Sequence, residues 1–209
     1  MMATIDRSTT ARPASYAGYD VLEKWDSVSY NAATRAVLAR RLQGVPKRQF
    51  LSADEWTLLE AVCARLIPQP DRTLPIPITP WIDEALALNR GEGFRHDDMP
   101  PQRDAWRRGI AGIEGEARQR HGRRFVELES GLQDRLLEAM QTGTVDPLLW
   151  GGLPVKRFFV DVLLKTVAGV YYSHPAAWSE IGFGGPAGPR GYVRMGFDDR
   201  DPWEAKERT

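Results

Sequence analysis

Cysteine is almost absent from this chain of 209 residues. The single cysteine, Cys63, cannot form an internal disulfide, and zinc sites built from thiolates need several of them. Cys63 shares a helical face with Leu59 and Leu66. This position favours a small buried apolar side chain over the alternative, a thiol bonded to a partner chain.

Histidine is scarce, and neither sign of charge is in excess. The three histidines, His96, His121 and His174, fall in different segments, and none has a second histidine four residues on, the spacing with which a helix chelates a metal. His96 is followed by Asp97 and Asp98 in a polar loop, which makes this loop the only cluster to weigh as a metal site. The 28 Lys and Arg residues balance 28 Asp and Glu residues, so the cation surplus typical of a nucleic-acid partner is missing.

Long apolar runs are missing as well. No run reaches the roughly 18 residues of a membrane-spanning helix, and residues 1–19 are polar without the apolar core of a secretory signal. The pair Arg40-Arg41 is followed by polar residues, so we interpret it as a solvated helix end and not as an export signal. We expect no direct membrane insertion and, by the chain's own signals, a cytoplasmic location.

Helical periodicity is what the sequence has in abundance. Ser52 and Glu55 have the spacing of a capping box, in which each side chain bonds the backbone amide of the other residue. Thr79 before Pro80 is interpreted as a second helix cap, and Ser130 with Gln133 as a second capping box. The predicted helices cover residues 31–42, 52–67, 79–89, 101–120, 132–140 and 154–172, the last being the most apolar and the candidate for a buried central helix.

The two ends of the chain differ from its middle. Residues 1–18 indicate an irregular arm, and from Ser173 onward glycine, proline and aromatic residues replace the helical pattern. We therefore predict an all-α protein: a single helical domain of about five to six helices with a long irregular N-terminal arm and a Gly/Pro/aromatic-rich tail. The expected boundaries are 1–48 for the arm with its short helix, 49–175 for the helical domain and 176–209 for a tail that wraps a partner.

Aromatic side chains are the usual anchors of protein interfaces, and they are dense near the C-terminus. An alternative for two of the candidates, Tyr172 and Trp178, is that they close the chain's own core. The predicted partner contacts are Tyr172, Trp178, Phe183, Tyr192 and Trp203.

Catalytic motifs are hard to find. The glycine-rich stretch 182–186 follows no strand and opens no helix, unlike a phosphate-binding loop, and there is no Gly-x-Ser-x-Gly nucleophile motif. The arginines of segment 103–120 alternate with Glu114 and Glu116, which favours a solvated helix face over a phosphate site. We predict no catalytic, cofactor-binding or metal-binding residue in this chain.

Two motifs nevertheless resemble a known family. The segment LSADEWTLL at 51–59 with RLIP at 65–68 is similar to the opening of the gluconate 2-dehydrogenase subunit 3 family. The segment YYSHP at 171–175, followed by Gly182 and Phe183, resembles the C-terminal signature of the same family, although His174 stands where an acidic residue is common. The resemblance spans roughly residues 50 to 200.

The resemblance implies a small non-catalytic subunit that pairs with a large flavoprotein of the glucose-methanol-choline type. In that family the large chain holds FAD and the catalytic histidines, and a cytochrome c subunit completes some complexes. The resemblance therefore implies that this chain itself carries no cofactor. Many relatives carry a twin-arginine export signal, which this chain lacks. A periplasmic location would therefore require that the partner subunit carries the signal. Segment 178–192 is most similar to small subunits of glucoside 3-dehydrogenases, which oxidise the C3 hydroxyl of sugars.

Two other functions stay open at this point. One is a stand-alone helical enzyme that uses a metal at His96, Asp97 and Asp98. The other is a regulatory helical module that binds a small ligand.

Overall fold

The computed structural model describes Tyr16, residues 18–70, 72–91 and 96–186, and Ala205. All regular structure in these residues is helical, which confirms the all-α class. The α-helices are α1 (Ala32–Gln43), α2 (Ala53–Leu66), α3 (Thr79–Ala87), α4 (Gln102–His121), α5 (Ser130–Thr142), α6 (Val155–Arg157), α7 (Lys165–Tyr172) and α8 (Pro175–Glu180).

The chain groups into two compact units, which we describe separately. Unit 1 comprises Met1–Val45, Gln69–Ile76 and Tyr171–Thr209, and unit 2 comprises Pro46–Pro68 and Pro77–Val170. The domain boundaries after residues 48 and 175 stay a prediction.

The start of α2 in unit 2 follows the sequence signal closely. The Ser52 hydroxyl accepts the amide of Glu55 at 3.2 Å, and the Glu55 carboxylate accepts the amide of Ser52 at 2.7 Å. This confirms the capping box, which satisfies two amides that a helix start leaves without partners.

Two other predicted caps are wrong, and for Thr79 a tertiary partner takes the side chain. Thr79 is the first residue of α3, is 2% exposed, and directs its hydroxyl to the Cys63 sulfur at 3.8 Å. Ser130 likewise lies inside α5 without a side-chain cap, and the Gln133 amide donates to the Phe125 carbonyl at 3.0 Å instead. Helix α5 ends before Gly143, whose left-handed backbone, with φ of 79°, is typical of a glycine at a helix C-terminus.

Helix α4 allows close packing in unit 2 at glycine positions. A Cβ on Gly112 would lie 2.5 Å from two atoms of the Trp150 indole, so the ring occupies space that any larger residue would need. Trp150 is 1% exposed and donates its indole N–H to the Glu116 carboxylate at 3.2 Å. Glu116 is also buried, and it accepts the backbone amide of Asp146 at 2.7 Å.

The most apolar segment is helical, as predicted, but it is not a uniform α-helix. Between α6 and α7 runs a π-helical segment, Phe158–Leu164, so that the helical stretch is continuous from 155 to 172. Phe158, Phe159 and Leu163 are buried, whereas Val160 is partly exposed. Within the described residues, no helix combines the length and apolar character needed to cross a membrane.

Unit 1 has its own apolar cluster. A 3₁₀ turn (Val21–Lys24), α1 and α8 contribute to it. Helix α8 corrects the expectation that helical structure ends at Ser173: Pro175 occupies its first turn, where a missing amide costs nothing. The buried members of the cluster are Val21, Leu22, Tyr30, Leu38 and Trp178.

Candidate functional site

The YYSHP motif forms the junction between α7 and α8 in unit 1. The Tyr172 carbonyl accepts the Trp178 indole N–H at 2.6 Å, and the Ser173 carbonyl accepts the Arg41 guanidinium at 2.5 Å. His174 caps α8, since its Nδ1 accepts the amide of Ala176 at 3.3 Å. The motif therefore fixes the turn between two helices.

The Arg41 contact corrects one sequence interpretation. We expected the arginine pair to be a solvated helix end, and both residues do lie in the last turn of α1, with Arg40 exposed. Arg41, however, donates across unit 1 to a carbonyl 132 residues away. Its desolvation on burial lowers its pKa below the ordinary arginine value.

The two adjacent tyrosines of the motif have different environments. Tyr171 is 2% exposed and donates its hydroxyl to Glu180 at 2.9 Å. Burial raises its pKa, because the charged phenolate is disfavoured away from water. Tyr172 is 49% exposed, and its ring stands edge-on to that of Tyr171 with centroids 5.0 Å apart. The motif thus buries one tyrosine and presents the other.

Trp178 and Phe183, two predicted contacts, form an aromatic pair with centroids 5.4 Å apart and an interplanar angle of 85°. Trp178 is only 4% exposed and belongs to the apolar cluster of unit 1. This agrees with the alternative that Trp178 closes the chain's own core. Phe183 is 43% exposed, and nearby Ile181 is 47% exposed. Trp178 connects Phe183 with Tyr172, because its ring pairs with that of Phe183 and its N–H donates to the Tyr172 carbonyl. We call Tyr172, Phe183 and the nearby Ile181 the aromatic patch. The remaining predicted contacts, Tyr192 and Trp203, lie outside the described residues.

A buried ion pair holds helix α8 in unit 1. Arg72 pairs with Glu180 and donates to the Ala176 carbonyl at 3.2 Å, and the Arg72 side chain is 3% exposed. The sequence offered no signal for this pair, because 108 residues separate its members. Breaking such a pair on one side leaves an uncompensated buried charge.

His174 is 7% exposed and close to two arginines. Burial is the main reason why the pKa of His174 is lowered to about 4, and the positive charges of Arg72 and Arg41 act in the same direction. His174 is therefore neutral at pH 7, which its role as an acceptor at the start of α8 requires.

The His96 loop in unit 2 does not have the arrangement of a metal site. The Arg157 guanidinium lies 2.7 Å from Nδ1 of His96 and 3.1 Å from Asp98, while Nε2 of His96 is 3.7 Å from Asp161. Because a guanidinium only donates, Nδ1 is the accepting nitrogen, and its lone pair is already used. Within the part of the chain that the structure describes, no three His, Cys, Asp or Glu side chains converge to hold a metal ion.

The arginines of α4 bind within the protein. Arg103 donates to the carbonyls of Leu86 and Ala87 at the end of α3, at 2.7 and 2.6 Å. Arg107 donates to Glu55 at 2.6 and 2.7 Å and lies over the Phe50 ring. The prediction of a solvated face is confirmed for Arg107, whose side chain is 46% exposed, whereas Arg103 is only partly exposed. Both residues join α4 to its neighbours, Arg107 to α2 and Arg103 to α3.

Cys63 is buried at 5% exposure, as the favoured interpretation predicted. Burial raises the pKa of its thiol to about 12, so the reactive thiolate is nearly absent at neutral pH.

Comparison with known proteins identifies the family of this chain. The profile of the family described as gluconate 2-dehydrogenase subunit 3 matches residues 53–185, which is more than half of the chain. No curated protein and no solved structure matches. The matched range contains both α2 with its capping box and the YYSHP junction.

Proposed function

Because this chain belongs to the gluconate 2-dehydrogenase subunit 3 family, we propose that it is a non-catalytic small subunit of an FAD-dependent dehydrogenase. Its partner is a large flavoprotein of the glucose-methanol-choline type, which holds the FAD and the catalytic residues. A cytochrome c subunit is a further candidate partner. The family match over 53–185 is the observation that carries this proposal.

The aromatic patch is the proposed contact with the large subunit. Tyr172 and Phe183 are about half exposed, yet each is positioned by a buried neighbour, Tyr171 and Trp178 respectively. Aromatic rings held rigidly lose little conformational entropy on binding, which suits them as interface anchors.

A sugar is the proposed substrate class of the complex, oxidised at its C3 hydroxyl. This rests on the similarity of segment 178–192 to glucoside 3-dehydrogenase small subunits. We place the complex in the cytoplasm unless the large subunit carries an export signal.

The test is purification of the tagged chain from its native cell, followed by mass spectrometry and a visible absorption spectrum. We expect a near-stoichiometric large partner and the absorption bands of oxidised flavin. A colourless chain that purifies alone would overturn the proposal.

Variants then locate the contact. Tyr172→Ala with Phe183→Ala should weaken binding of the large chain by at least ~30-fold, the effect of losing a hot spot. Leu148→Ala is the matched control, because this leucine is 88% exposed and lies in unit 2. Unchanged binding by the double variant, with an unchanged melting temperature, would place the interface elsewhere.

A further inference from the structure

Unit 2 contains a cavity with a volume of about 430 Å³. Its walls come from Gly91, from residues 96–100, from the first turn of α4, and from the helical stretch that runs from the π-helical segment into α7. This volume lies in the range of small-molecule sites, roughly 300–1,000 Å³.

The lining is mostly apolar. Met99 and Ala105 are 5% and 1% exposed and contribute to the cavity wall together with Pro100 and Val162. An apolar wall of this kind favours a ligand whose body is hydrocarbon, because its transfer from water is then favourable.

A few polar side chains face the same cavity. Gln102 and Thr166 can each donate and accept hydrogen bonds, and Asp161 and Lys165 bring opposite charges one turn apart. His96 also lines the cavity, and its Nδ1 is already bonded to Arg157. The charges of Asp161 and Lys165 sum to zero, so neither a net anion nor a net cation is favoured.

The helix that forms one wall departs from α geometry at the cavity. Asp161 and Val162 belong to the π-helical segment, and Lys165 and Thr166 open α7 directly after it. The i→i+5 pattern rotates these side chains away from the positions that an uninterrupted α-helix would give them. Interruptions of this type occur frequently at functional sites.

We propose that this cavity is a binding site for a neutral small molecule with an apolar, ring-sized body and one edge that carries both a hydrogen-bond donor and an acceptor. The apolar body contacts Met99 and Val162, and the polar edge bonds to Gln102 and Thr166. The residues that line this cavity belong to unit 2, whereas those of the aromatic patch belong to unit 1.

Benzamide, benzoate and benzylamine form a matched set of probes, because they share a ring and differ in charge. The full chain, labelled with ¹³C in its methionine methyl groups, is titrated with each probe in whatever assembly it purifies. Met99 reports on the cavity, and Met140, buried in α5, serves as the internal control.

We expect benzamide to shift the Met99 methyl signal with a roughly millimolar Kd, as suits a ligand of this size, and to leave Met140 unchanged. Benzoate and benzylamine should bind at least ~10-fold more weakly, because each must desolvate a net charge. A Met99 methyl signal that does not shift on titration, or equal affinity for all three probes, would refute the proposal.

Val162→Phe should abolish the shift by filling the cavity, whereas Val160→Phe, in the same π-helical segment but outside the lining, should preserve it. The Met140 signal shows whether each variant is folded. Thr166→Val gives a second, milder test, with affinity for benzamide reduced several-fold through loss of one hydroxyl. Binding that survives both Val162→Phe and Thr166→Val would place the probe elsewhere and overturn the assignment.

Discussion

Replacing Gly112 with alanine tests the packing of α4 against the Trp150 indole. In an unpacked helix this change stabilises by about 0.8–1.0 kcal/mol, because glycine has the larger conformational entropy to lose. Here the new methyl group would lie 2.5 Å from Cδ2 and Cε3 of Trp150, so the indole must move. Overpacking of this kind costs typically 1–3 kcal/mol.

The Trp150 ring has little freedom to move. Its N–H is bonded to Glu116 at 3.2 Å, and the Glu116 carboxylate also pairs with Arg120 at 2.7 Å. A shift of the indole therefore weakens a hydrogen bond to a charged acceptor, worth about 1.5–3 kcal/mol. Combining the three effects, we expect Gly112→Ala to destabilise the protein by about 2 kcal/mol.

Thermal unfolding followed by circular dichroism measures the effect. For a chain of this size, about 2 kcal/mol corresponds to a fall in Tm of roughly 4–8 °C. Gly115→Ala is the matched control on the same helix, since its new methyl group would meet Leu149 at an ordinary 3.4 Å. The control should melt at the wild-type temperature or slightly above it.

A Gly112→Ala protein that melts at or above the wild-type Tm would refute the reasoning. A double-mutant cycle with Trp150→Leu adds a second check. If the clash is the cause, the alanine costs less when the indole is absent, so the two effects are not additive.

Three further predictions concern buried polar groups. Asp83 is 0% exposed, and its carboxylate accepts the backbone amides of Gln49, Phe50 and Leu51 at 2.5–3.0 Å. Asp83→Asn places amide hydrogens against these donors, so it should lower the free energy of unfolding, measured in urea, by about 2–4 kcal/mol. A loss below ~0.5 kcal/mol would contradict the assigned contacts. Cys63, whose pKa is raised to about 12 by burial, should not react with Ellman's reagent at pH 8 until urea unfolds the chain, and full labelling of the native protein would contradict its burial. The pKa of His174 is lowered to about 4 in the folded state, below its ordinary value of 6.5. Between these two pH values the unfolded state binds more protons than the folded state. The protein should therefore lose up to about 3 kcal/mol of stability as the pH falls from 6.5 to 4. His174→Asn keeps a capping acceptor without a titrating group, so it should flatten this part of the Tm-against-pH curve, and identical curves would assign the pH dependence to other residues.

Short-range signals account for the parts of the fold that were predicted correctly. Ser52 and Glu55 satisfy each other's amides three residues apart, and no distant residue is needed to complete the cap. Thr79 also has the local sequence pattern of a helix cap, but it directs its hydroxyl to Cys63, because burial in unit 2 changes which partner is nearest. Local patterns therefore predicted where the helices lie better than which side chains cap them.

The candidate site was predicted only as a region. The density of aromatic residues near the C-terminus indicated a contact surface, yet the pattern could not distinguish Trp178, which is buried, from Phe183, which is half exposed. Arg72 had no signal at all, since its partner Glu180 is 108 residues away and a single sequence carries no record of their proximity.

The amino-acid sequence by itself determined the all-α class, the family and the helical segments before Ser173, because hydrophobic periodicity, capping residues and short motifs act over a few neighbouring positions. Only the tertiary structure decided that Tyr171 is buried and Tyr172 exposed, that the α4 arginines bind within unit 2, and that a π-helical segment borders a cavity. Burial and hydrogen-bond partners depend on which distant segments meet, and that is set by packing of the whole unit.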